Sequence, residues 1–148
     1  MKLTVLILMA GCAFAQEGVT SNLKALMTDY KKKVVAIAAA FKPGDLESKP
    51  TPAVMSAKEI VAHIEDANYS LCSQLKGEAK PKGGNLAASF DYCLAALDSV
   101  DGKMATKTNA KTPRDKGWIA FHLLEHTALH YGNLVTYIRL KGGAPPNG

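Results

Sequence analysis

Apolar residues return along this chain every three or four positions, the spacing that gives an α-helix one apolar face. Leu23, Leu26, Met27, Tyr30, Val34, Ile37 and Phe41 predict a first helix over about residues 18–41, stopped by Lys42-Pro43-Gly44-Asp45. Pro43, Pro50 and Pro52 then predict an extended connection, long enough for a crossover. Ile60, Ile64, Ala67, Leu71 and Leu75 mark the buried face of a second helix, ended near Lys76-Gly77, with His63 within that face. Ser56-Ala57-Lys58-Glu59 opens it as a capping box: the serine oxygen serves an unpaired N–H and the glutamate reaches back. After a polar loop at 78–84, Leu86, Phe90, Cys93, Leu94 and Leu97 predict a third helix over about residues 85–100. A second polar loop leads to a fourth helix, with Thr112 as N-cap, Pro113 in its first position and Asp115 completing a T-x-x-D box. It runs to Leu140-Lys141, where Gly142-Gly143 ends it and Pro145-Pro146 prevents continuation. No stretch competes as a strand. Four amphipathic helices specify an all-α four-helix bundle, and the pattern leaves their connection order open.

Composition adds a boundary near the start. Lys2 precedes a nearly unbroken apolar run at residues 3–10, and Ala13-Phe14-Ala15 is an A-x-A cleavage site. This predicts a secretory signal peptide over residues 1–15, cleaved before Gln16, and one bundle domain over 16–148. The run is too short to span a bilayer, so no transmembrane segment is expected. Met9-Ala10-Gly11-Cys12 loosely resembles a lipobox, but Met where Leu is usual argues against lipid anchoring through Cys12. Either route exports the domain, to the periplasm or the medium. The chain's 148 residues, 47% apolar and 21% charged, suit one folded domain and exclude wholesale disorder. Without Lys2, 17 basic and 13 acidic residues leave a mild +4, scattered over helix ends and loops. No basic stripe is interleaved with aromatics, so nucleic acid is not an expected partner. Cys72 and Cys93 remain after cleavage, each on a predicted helix. Export permits a disulfide if their Cα atoms come within about 7 Å. Two buried free thiols are the alternative.

The candidate chemistry lies in the histidines. His122, His126 and His130 follow at four-residue steps on the last helix, each step turning by about 40°. Neighbours in that series lie one turn apart and reach one metal ion, as in the H-E-x-x-H zinc helix. Thr127 stands where that motif has its general base, so a zincin protease is not expected. His122 and His130 are about 12 Å apart along the axis, too far to share an ion. The spacing therefore leaves two pairs, His122 with His126 or His126 with His130. His63, on another helix, supplies a third nitrogen, and three nitrogens with one position open is the arrangement of catalytic zinc sites. Satisfied core or surface histidines are the plain alternative.

A resemblance narrows the choice. The stretch Glu59-Ile60-Val61-Ala62-His63-Ile64-Glu65-Asp66-Ala67, with His126-Thr127-Ala128-Leu129-His130-Tyr131-Gly132-Asn133-Leu134, resembles the DinB/YfiT-like superfamily of small four-helix proteins. The closing residues 137–146 are similar too, and the likeness spans about residues 20–146. It implies a divalent metal held by His63, His126 and His130, with His122 as a neighbour. Where the family often has Arg and Gln around the glycine, this chain has Tyr131 and Asn133, so no role carries over to them. Gly132 is expected to let a neighbouring helix pack closely. Glu59, one turn before His63, is divided between capping and orienting that ring, with capping favoured.

The resemblance implies either a metal-dependent hydrolase or a thiol-dependent S-transferase or isomerase. Low-molecular-weight thiols are mainly cytosolic and export leads to an oxidising compartment, which favours a hydrolase using metal-bound water on a small-molecule substrate. No Asp or Glu occupies an obvious general-base position. A non-catalytic metal-binding or stress-related helical module is therefore kept, as is a purely structural bundle. Imidazole ligands suit zinc and nickel first, with iron and copper not excluded. The substrate is not legible, and a homodimer is one of the oligomeric states left open.

Overall fold

The computed structural model describes the backbone of residues 2–100 and 102–146, and side chains from residue 18 onward in that range. It contains α1 (Lys2–Ala40), α2 (Pro43–Leu46), α3 (Ala57–Lys76), α4 (Leu86–Asp98) and α5 (Lys116–Leu140). The bounds of α1 run back through the segment read as a leader, whose Leu, Ala and Met are good helix formers. The side chains of that segment, Cys12 included, lie outside the described residues. Among the described residues no helix is long and apolar enough to cross a membrane.

The long helices form a ring in which α1 and α3 each pack against both α4 and α5. Side-chain pairs give the directions. Lys24 pairs with Asp98 and Lys31 with Asp91, so α1 and α4 are antiparallel. Asn68 Nδ2 donates to Ser89 Oγ at 3.0 Å and Cys72 joins Cys93, so α3 and α4 are parallel. Tyr137 Oη donates to the Met55 carbonyl at 2.9 Å, which sets the end of α5 beside the start of α3. The topology is thus up-down-down-up, with α1 and α3 on one diagonal. The proline-bearing segment between them is the crossover, and its first part is a helical turn, α2, where an extended chain was expected. Pro43 sits in the first turn of α2, where its missing N–H costs nothing.

Parallel α3 and α4 require the chain to return the length of α3 between them. Residues 77–85 do this, held by the Lys80–Asp66 pair and by Gly84 against Tyr69. Gly84 has φ +152°, and a Cβ there would lie 2.1 Å from the tyrosine oxygen, so only glycine fits. Both expected capping features of α3 are present: Ser56 N donates to Glu59 Oε2 at 2.7 Å and Glu59 N to Ser56 Oγ at 3.1 Å. The start of α5 departs from expectation. Thr112 is not the N-cap; Asp115 is, and its side chain makes no capping bond. The preceding residues form an antiparallel bridge between Lys107 and Asp115, and the amides of Lys116 and Gly117 donate to the Thr106 and Met104 carbonyls, each at 2.8 Å. Loop carbonyls thus do the work of a cap.

The core is made of Leu23, Met27, Val34 and Ile37 from α1, Ile60, Ile64 and Leu75 from α3, Phe90 and Leu97 from α4, and Ile119, Leu123 and Leu134 from α5. Cys72 and Cys93, both fully buried, are disulfide-bonded across 5.2 Å between Cα atoms, so the free-thiol alternative does not apply.

Candidate metal centre

His63, His126 and His130 meet where α3 and α5 run antiparallel. One ring nitrogen from each lies within 4.8 Å of the other two. The i,i+4 pair comes from α5, whose core stripe through Leu123, Thr127, His130 and Leu134 turns His130 inward and leaves His126 half-buried beside it. His63 was expected within the buried face of α3. It is instead exposed, because that face centres on Ile60, Ile64, Asn68 and Cys72 and His63 flanks it on the α5 side. The group is therefore open to solvent at His63 and closed at His130. Spacing alone left two histidine pairs; the structure brings His126 and His130 to His63. His122 stacks on Trp118, 4.7 Å between ring centres, and its Nδ1 faces Glu125 Oε2 at 3.0 Å.

His63 Nε2 and His126 Nε2 are 2.9 Å apart, a distance at which one neutral ring donates its N–H to the other or both nitrogens face one cation. His126 Nδ1 is buried with no hydrogen-bond partner, which leaves Nε2 as that ring's working nitrogen. Asn133 Nδ2 lies 3.4 Å from His130 Nδ1, so its N–H donates to that nitrogen's lone pair and orients the ring. Burial, then the neighbouring His130, His63 and His122, push the His126 imidazolium down to about 4, against a small opposing pull from Glu125. Burial and then His63 lower His130 as well. Both rings are neutral at neutral pH, the form in which imidazole binds a metal. This donor set fits a borderline divalent ion held through nitrogen.

Among the described residues no carboxylate joins the group. Glu59 is committed elsewhere: it caps α3 and pairs with Lys49 at 2.8 Å, contacts that hold its carboxyl below the usual range. Capping thus prevails over orientation of His63. The position of Asn133 three residues after His130 left it divided, in the sequence, between lining the site and a plain surface or packing role. The sequence reading missed an open apolar groove of about 610 Å³ on the other side of α5, lined in part by Leu26, Tyr30, Trp118 and Phe121.

No family model matches the chain, and neither does any curated protein. Solved structures do. A DinB-like protein from Bacillus subtilis, YjoA, is 18% identical, with 86% of this chain and 96% of that one covered and a TM-score of 0.72. A DinB-like protein from Bacillus cereus is 14% identical, with 82% and 91% covered and a TM-score of 0.64. At such identities the likeness is one of backbone architecture, and it agrees with the all-α bundle expected from the sequence. The chain has the fold of the DinB-like proteins.

Proposed function

We propose that this is an exported protein that binds one divalent metal ion, zinc or nickel first, through His63, His126 and His130, and that it is a metal-dependent hydrolase of a small molecule. The observation that carries the metal reading is the convergence of three imidazole nitrogens within 4.8 Å, two of them on rings kept neutral by burial. A divalent ion there supplies Lewis acidity, polarising a carbonyl or phosphoryl oxygen and acidifying water. The protein's part is to hold the ion with two α5 rings and one α3 ring, to fix His130 through Asn133, and to leave the His63 side open to a ligand. The buried Cys72–Cys93 disulfide supports export, since such bonds persist in oxidising compartments. The same compartment disfavours transfer of low-molecular-weight thiols. A metal-binding module without catalysis is the second reading, favoured because no carboxylate among the described residues joins the histidine group.

Elemental analysis of untagged protein, beside a His126→Ala/His130→Ala variant, tests the metal site. About one equivalent of metal in the wild type and almost none in the variant is the expected result. Equal content in both sinks the site, and a mass that still includes residues 1–15 sinks export. Turnover of simple ester, amide or phosphoester substrates by the loaded wild type, lost in the variant, is expected of the hydrolase. Metal without turnover decides for the binding module.

A further inference from the structure

The outward face of α5 carries a second, separate feature. Trp118, Glu125, Gly132 and Arg139 follow at seven-residue steps, each turning by only about 20°, so they form one line along the helix. Large apolar residues flank it and are left in solvent: Trp118 is 47% exposed, Phe121 54% and Leu129 60%, with Leu26 of α1 at 46%. Gly132 lies inside a 25-residue helix, where glycine costs about 1 kcal/mol relative to alanine. The expectation that it admits a neighbouring helix fails within the protomer, since a Cβ built on it meets nothing within 4 Å.

We infer that this face is covered by a second copy of the chain, with two α5 helices crossing antiparallel at Gly132. The charges select this occupant. Glu125 lies seven residues before Gly132 and Arg139 seven after. A two-fold axis through Gly132 sets each Glu125 opposite the partner's Arg139, forming two ion pairs. A parallel pairing would set like charge against like. Arg139 is exposed and makes no ion pair among the described residues, and among them the one ion pair of Glu125 is with His122. Missing Cβ atoms at the crossing allow the backbones to approach closely. His126 and His130 point about 120° or more away from Gly132 around the helix, so the pairing leaves the histidine group open.

Sedimentation of the purified protein over a range of concentrations tests this. A dimer is expected, with the emission of the single tryptophan, Trp118, shifting to the blue as it forms. Glu125→Arg and Arg139→Glu each raise the dissociation constant about tenfold or more, and the double variant Glu125→Arg/Arg139→Glu restores it. Gly132→Leu weakens the dimer similarly while circular dichroism shows unchanged helix. A monomer at every concentration overturns the inference, as does a dimer unmoved by either single charge reversal. A monomer that instead sediments with phosphatidylglycerol vesicles assigns the face to lipid and overturns it too.

Discussion

At the scale of the residue, His126 is where packing and charge meet. Folding holds its imidazolium at about 4 against 6.5 in an unfolded chain. Between those values the unfolded state binds a proton that the folded state refuses, so stability falls as pH falls. His126's contribution is complete above about 6.5 and eroded toward about 4, and His130, lowered by the same causes, adds to the slope. Denaturant titrations of metal-free protein are expected to show less stability at about pH 5 than at about pH 7.5, with a smaller loss in a His126→Gln variant. Equal losses in the two proteins would remove His126 as a cause. The α5 pair was legible from spacing because four residues make almost one turn. His63 was legible as a third nitrogen from its place on another helix, and its exposure was misjudged because Ile60 and Ile64 beside it suggested an inward direction.

At the scale of the element, the two capping boxes written in the sequence met different fates. Ser56 and Glu59 follow a proline-bearing segment that adds only the Lys49 side-chain pair to Glu59, and the box closes as its spacing predicts. Replacing Ser56 by Ala is expected to cost about 1 kcal/mol in thermal or chemical unfolding, because one α3 amide loses its acceptor. A loss near zero would show that water serves that amide equally well. Thr112 has the same local pattern but sits in a segment already paired with residues 106–108, so the helix begins three residues later. Local chemistry decides an end when nothing else binds its backbone, and long-range pairing decides it otherwise.

At the scale of the whole molecule, the apolar stripes told which face of each helix is buried and not which helix it meets. The ring order needed the return at 77–85, whose polar composition reads as an ordinary loop. Cys72 and Cys93 had to be 5.2 Å apart for a bond, a distance that depends on α3 and α4 being parallel. The bridge spans 21 residues, for which chain-entropy reasoning gives about 3 kcal/mol of stabilisation. A Cys72→Ser/Cys93→Ser variant is therefore expected to melt well below the wild type, and an unchanged melting temperature would show that burial of the two sulfurs suffices. That bridge also straddles the exposed return between α3 and α4. A protease that severs the return divides the chain into one piece bearing His63 and another bearing His126 and His130, and the sulfur bond keeps the two together until a reductant releases them.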